Sequence, residues 1–327
     1  MTLILAPIFA LILLGYLGRR YGVLGAASYV ELNRYVVFLA LPALLFDMVA
    51  HLDLAQLDQP GFIATYAIGS IVPLVLPLWI ARRGRAFADA ALDGLSAGYP
   101  NVGYVGIPLA LLAFGPTSNA QAAIAATMTV CVIFGVAVAL IEYHAHRKHP
   151  FLVTLAKVAG SVLRNPMVAG PLAGIAFAAT GFALPAPVDR GLILLGGSAG
   201  PCALVALGLF LARDLPDPPA HPSPAPPLAG TGASLHRGVL RPAFLTAAKL
   251  FVQPGLTWLL AACAFHLAPL DLRIVVLLSA LPTGTGAFML AEYYHRDPSV
   301  TARTILFSTI ASVVTLALWL KVLGTIG

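Results

Sequence analysis

SAGYPNVGYVGIPLALL at residues 96–112 and SALPTGTGAFMLAEYY at residues 279–294 are apolar stretches interrupted in the same way. Pro100 and Pro282 each lack the amide that a helix needs, and each presses its ring on the preceding turn. Gly98 and Gly103 flank the first break, and Gly284 and Gly286 follow the second, where unusual backbone angles are permitted. A broken helix in an apolar medium frees backbone groups that find no solvent. It is stable only against protein or along a wet cavity.

Composition sets the medium. The 327 residues are 59% hydrophobic and 10% charged, with mean hydropathy +0.91, whereas soluble domains carry about 25% charged residues. The chain reads as an all-α polytopic membrane protein. Stretches near the roughly 20 residues that cross a bilayer fall at 2–18, 32–50, 61–81, 89–114, 121–143, 165–183, 190–212, 243–267, 272–294 and 302–323. These are ten predicted spans. The first, in MTLILAPIFALILLGYLGRR, has its charges after the apolar run and no small-x-small cleavage site before Tyr21. It reads as a retained span rather than a signal peptide. The net charge of +6 sits beside apolar spans, so it reads as topology and not as nucleic-acid binding.

Lys and Arg orient the spans. Sixteen of the 19 fall in alternate loops and adjoining helix ends, and only Arg190, Arg273 and Lys321 fall on the other side. The positive-inside rule then places both termini outside and the Lys/Arg-rich loops in the cytoplasm. Residues 214–238, DLPDPPAHPSPAPPLAGTGASLHRG, hold seven prolines and read as a disordered or polyproline-like cytoplasmic linker. Residues 144–164, which begin with HAHRKHP, read as a cytoplasmic connection, with Arg147 and Lys148 marking a solvated face.

Prolines repeat at fixed spacing. Pro7 and Pro166 are 159 apart, as are Pro42 and Pro201; beyond the linker, Pro100 and Pro282 are 182 apart, and Pro73 and Pro254 are 181 apart. Removing the linker therefore aligns spans 1–5 (residues 1–143) with spans 6–10 (165–325). Five is odd, so the second half enters the membrane in the opposite sense. Such inverted repeats, with interrupted spans at matching positions, are the architecture of many secondary transporters.

Each break then becomes a candidate binding element. The half-helix after Pro100 starts near Asn101–Tyr104, and the one after Pro282 starts among Thr283, Gly284, Thr285 and Gly286. A helix N-terminus carries about half a positive charge and suits an anion. Two meeting at mid-membrane form a carboxylate site without a buried arginine, with Pro100, Asn101, Gly103, Tyr104, Pro282, Thr283, Gly284, Thr285 and Gly286 around it. Intramembrane charge is costly and usually functional, so Asp47, Lys249 and Glu292 are candidates for a coupling proton or the substrate path. Thr127, Thr129, Ser308, Thr309 and Ser312 are small polar residues within spans. Cys131, Cys202 and Cys263 are far apart with no metal-ligand spacing, and no metal or cofactor is expected.

NRYVVFLALPALLF at 33–46, YPNVGYVGIPLALLAFG at 99–115, RNPMVAGPLAG at 164–174, KLFVQPG at 249–255 and LPTGTGAFMLAEYY at 281–294 resemble the auxin efflux carrier family. They are most similar to its bacterial malonate and malate permease branch. The resemblance implies ten spans in two inverted repeats. Spans 1, 2, 6 and 7 would form a scaffold that often dimerises; spans 3–5 and 8–10 would form a moving transport domain whose two broken helices cross. It also implies a carboxylate ligand at that crossing. Pro100 and Asn101 match the family's Asn-Pro-type element, whereas Thr283 stands where the plant carriers have Asn, which favours a smaller carboxylate.

Two function classes follow. The first is a secondary carrier for small organic anions, with sodium-coupled symport, proton-coupled symport, export and facilitated passage all open. The second is an intramembrane hydrolase, because GGSAG at 196–200 has the GxSxG form with Ser198 as nucleophile. That elbow needs a strand-to-helix turn and a nearby base, and the histidines lie in loops or near span ends. A receptor or channel lacks an attached soluble domain or a pore signature.

Overall fold

The computed structural model describes residues 2–51, 58–80, 86–146, 151–212 and 238–324. The described residues are helical throughout apart from turns and one isolated bridge. The helices are α1 (Thr2–Arg20), α2 (Ala27–Ala50), α3 (Pro60–Ile80), α4 (Phe87–Gly98), α5 (Val102–Phe114), α6 (Pro116–His146) and α7 (Phe151–Arg164). They continue as α8 (Pro166–Ala178), α9 (Ala186–Leu211), α10 (Leu240–Ala264), α11 (Pro269–Ser279), α12 (Gly286–Tyr293) and α13 (Ser299–Val322).

Six of these, α2, α3, α6, α9, α10 and α13, are long and apolar enough to cross a membrane by length and composition. The sequence predicts ten spans. Predicted spans 4 and 9 are each divided at the proline break, into α4 with α5 and α11 with α12, and each half is shorter than a bilayer is thick. Span 6 is α8, which ends at Ala178 before Gly181 turns the chain at φ 70°. The connection at 144–164 is itself largely helical, because α6 runs on to His146 and α7 follows. Residues 214–237 of the expected linker lie outside the described residues, as do Arg82, Arg83, Arg85, Arg147 and Lys148.

Prolines shape the helices they do not break. Three of the five π-helical turns among the described residues, Val36–Ala40, Val102–Gly106 and Ala248–Val252, each end two residues before a proline: Pro42, Pro108 and Pro254. A proline cannot donate to the carbonyl four residues back and crowds it, so the turn widens. The carbonyl that Pro254 leaves without a donor is Leu250, and the Trp319 indole N–H on α13 donates to it at 3.0 Å.

Helices meet through small residues, as membrane helices do. A Cβ on Gly15 of α1 would collide with the Val205 carbonyl of α9, and one on Gly174 of α8 would lie 2.7 Å from the Phe46 carbonyl of α2. Gly15 and Gly174 are 159 residues apart, and so are Phe46 and Val205, the spacing that separates the paired prolines. Gly94 lets α4 lie directly on the Leu74 carbonyl of α3.

Polar side chains link the helices in two sets. Within α1, α2, α8 and α9, Tyr35 Oη lies 2.6 Å from Ser198 Oγ, and His51 Nε2 lies 3.1 Å from Asp189. Within α3–α6 and α10–α13, Tyr66 meets Thr129, Gln121 donates to Asp271, Arg241 pairs with Asp93, and Arg296 grips Asp89 through two 2.8 Å bonds. Between the sets the ring contacts are Tyr29 and Phe210 with Phe288, and Phe38 with Tyr293. Tyr294, which donates to Glu142 at 2.8 Å, also approaches the Asn165 side chain across the same boundary.

Candidate functional site

The two breaks cross and pair through their backbones. The Asn101 amide donates to the Pro282 carbonyl at 2.9 Å, and the Gly284 amide donates to the Tyr99 carbonyl at 2.9 Å. Pro100 and Thr283 thereby form an isolated antiparallel bridge. Each break thus uses the other to satisfy groups that lipid would leave bare. Thr283 fastens the crossing from within. Its amide donates to Ser308 Oγ on α13 at 3.1 Å, its hydroxyl donates to the Ser96 carbonyl at 2.8 Å, and it is fully buried.

The breaks orient two helix N-termini. The first-turn amides of a helix have no acceptor within it. Gly103 and Tyr104 at the start of α5, and Thr285 and Gly286 at the start of α12, have no backbone acceptor among the described residues. All four line one cavity of about 590 Å³, its open mouth included. Asn101, Tyr99 and Thr129 add polar groups to this wall, and the Tyr104 hydroxyl is buried without a hydrogen-bond partner. The facing wall is apolar, made by Leu41, Leu44, Leu45 and Met48 of α2 with Met167 of α8. None of the lining residues is charged.

The glycines act differently from the sequence expectation. Positive φ among the described glycines occurs only at Gly22, Gly115, Gly181 and Gly324, none of them at a break. Gly284 and Gly286 instead admit Tyr99, whose ring would lie 2.7 Å from a Cβ on the first and whose hydroxyl would lie 2.8 Å from one on the second. Gly98 admits the Ser70 carbonyl of α3 at 2.5 Å from such a Cβ, whereas Gly103 has open space beside it. Gly200 of α9 receives the Tyr104 ring.

The structure brings Pro100, Asn101, Gly103, Tyr104, Gly284, Thr285 and Gly286 to the cavity wall, and sets Pro282 and Thr283 in the crossing away from it. Lys249 is fully buried on α10, and its ammonium donates to the Ser279 carbonyl at 2.8 Å. That carbonyl ends α11, where a helix carries partial negative charge. Asp47 lies at the far end of α2, 3.2 Å from His51 Nδ1; with His51 and Asp189 it offers ligand atoms within 4.8 Å of one another. Glu292 is half-buried near the end of α12. Neither carboxylate lines the cavity. Thr129 does line it, but Ser308, Thr309 and Ser312 donate to carbonyls of their own helix. Ser198 donates to the Leu195 carbonyl and meets Tyr35, so its observed partners include no general base.

Sequence reasoning missed Gln253. Its Nε2 donates to Ser70 at 2.9 Å and reaches the Gly98 carbonyl at 3.4 Å. A carboxamide side chain inside an apolar run beside Pro254 was the available signal. The apolar wall of α2 carries no signal of its own, since leucines facing a cavity and leucines facing lipid look alike in sequence.

A family model described as "membrane transport protein" matches residues 2–320. A Rhizobium meliloti protein named "Putative malonate transporter" is 30% identical over 318 residues, covering 96% of this chain and 93% of that protein. An uncharacterized transporter of Methanothermobacter thermautotrophicus is 25% identical, and one of Escherichia coli strain K12 is 23% identical; each alignment covers 97% of this chain and 96% of the relative. With apolar helices able to cross a bilayer, a backbone crossing between two broken helices and a match along nearly its whole length, the chain is a multi-pass membrane protein of the membrane transport protein family, the auxin efflux carrier family.

Proposed function

We propose that this protein carries small organic anions, malonate- or malate-like carboxylates, across the bacterial cytoplasmic membrane by alternating access at the crossing of the two broken helices. One observation carries the reading: unpaired amides of two helix N-termini meet at a cavity whose lining has no charged side chain. Two such ends attract a carboxylate through fixed partial charges, while the α2 wall accommodates a short carbon skeleton. Asn101, Tyr104 and Thr285 supply directional hydrogen bonds. Pro100, Pro282 and Thr283 hold the amides in place.

In this reading the chain crosses the membrane ten times as two inverted five-span repeats, with both termini outside. The equal spacing of Gly15 and Gly174, and of the carbonyls they meet, supports the repeat. Helices α1, α2, α8 and α9 form the scaffold, through which two copies pair; α3–α6 and α10–α13 form the moving body. Most of the hydrogen bonds and ion pairs lie inside each set, against ring contacts and the Tyr294–Asn165 approach between them, which suits two bodies that slide. Exchange of radiolabelled malonate or malate across proteoliposomes containing the full chain tests this. Saturable counterflow is expected, and its absence for every short mono- and dicarboxylate sinks the reading.

A further inference from the structure

A buried charge in a bilayer is rare and calls for a counter-charge or a task. Lys249 has neither a carboxylate partner among the described residues nor any exposed surface. The ionisable groups on the helices packed against α10 are otherwise engaged or distant. On α4, Asp93 pairs with Arg241 and Asp89 with Arg296. On α11, Asp271 accepts from Gln121, and Arg273 approaches Gly324 near the end of the described chain. On α13, Arg303 lies beside Gly238 and Lys321 in the last turn. On α3, Tyr66 is bonded to Thr129. What faces the ammonium is the Ser279 carbonyl at the end of α11, three residues before the bridging carbonyl of Pro282.

The same body therefore holds one buried positive charge and, a few residues away, a pair of helix ends suited to an anion. With an anion bound, the two charges offset each other. With the anion gone, the body holds a bare ammonium that must cross the membrane uncompensated. We propose that Lys249 is the proton-carrying group of this transporter, charged while the loaded body crosses and neutral while the empty body returns. This rests on the anion site proposed above. On the release side the carboxylate leaves as its anion, and Nζ passes one proton to water. The neutral amine returns and takes a proton from water on the uptake side. No bond in the cargo changes, and each cycle moves one carboxylate and one proton in the same direction.

The test uses the full chain in proteoliposomes with radiolabelled malonate, malate and acetate. The wild type is expected to exchange at least one of these and, with the membrane potential clamped at zero, to accumulate it about tenfold for an acid-outside gradient of about one pH unit, the factor set by one proton per anion. Lys249→Arg keeps the charge but cannot give up its proton; it is expected to retain exchange, in which the body returns loaded, and to lose gradient-driven accumulation. Lys249→Gln is expected to lose that accumulation and to shift the charge moved per turnover by one, read from uptake at imposed membrane potentials. If the wild type exchanges a carboxylate without responding to the gradient, or if Lys249→Arg still accumulates it, the inference is overturned and the anion site stands. If no carboxylate exchanges, both fall.

Discussion

Lys249 and Gln253 stand one turn apart on α10, and each holds a carbonyl that ends the first half of a broken span: Ser279 for Lys249 and Gly98 for Gln253. One helix thus closes both of the C-terminal ends that the breaks expose, while the breaks close each other. The crossing is held from two directions.

Gln253→Leu removes one of these supports. It leaves the Ser70 hydroxyl and the Gly98 carbonyl buried without that donor, and an orphaned buried group costs about 1–3 kcal/mol. A lower melting temperature in detergent, with membrane insertion intact, is the expected result. An unchanged melting temperature would detach Gln253 from the crossing.

Asn101 and Thr283 separate contact from support. Asn101→Ala is expected to weaken carboxylate binding about tenfold, the loss of one hydrogen bond of about 1.4 kcal/mol, with little change in melting temperature. Thr283→Ala loses the bond to the Ser96 carbonyl and should weaken binding together with a drop in stability of about 1 kcal/mol. Thermal-shift titration with mono- and dicarboxylates reads both. Wild-type affinity in both variants rules out this site.

Gly286→Ala places a methyl group 2.8 Å from the Tyr99 hydroxyl, closer than real contacts allow. Transport should fall at least about tenfold, since strained packing of this kind costs about 1–3 kcal/mol. Adding Tyr99→Ala to the same chain should restore part of it. Initial rates of exchange check the pair, and additive losses would contradict the close approach.

Trp319→Phe strips the Leu250 carbonyl of its donor, at a cost of about 1–3 kcal/mol. Pro254→Ala in that background returns a backbone amide four residues on, and should recover some of the lost stability. Thermal denaturation of the single and double variants decides it; a double variant no more stable than Trp319→Phe alone would refute this account of the π turn.

The breaks were legible because Pro100 and Pro282 each sit among glycines, whereas Pro73, Pro77 and Pro171 lie inside helices that run on. Their pairing was not, since the Asn101 amide and the Pro282 carbonyl are brought together only by tertiary packing. The glycines illustrate the same divide. Their presence beside the breaks is plain in sequence, but whether Gly286 serves an unusual dihedral or the Tyr99 ring depends on a distant neighbour. Thr283, read as facing the ligand, spends its hydroxyl on Ser96. The helical character of 151–164 was hidden because Lys157 and Arg164 report which side of a membrane a segment occupies and say nothing of its conformation. A length count cannot register a predicted span that folds as two short helices, as with α11 and α12.

The link between the two breaks runs from main chain to main chain, Asn101 to Pro282 and Gly284 to Tyr99. Its geometry therefore survives most exchanges of the side chains that face the cavity. Substitutions at Tyr104, Thr129 or the α2 leucines would reshape the cavity wall while leaving those two bonds in place.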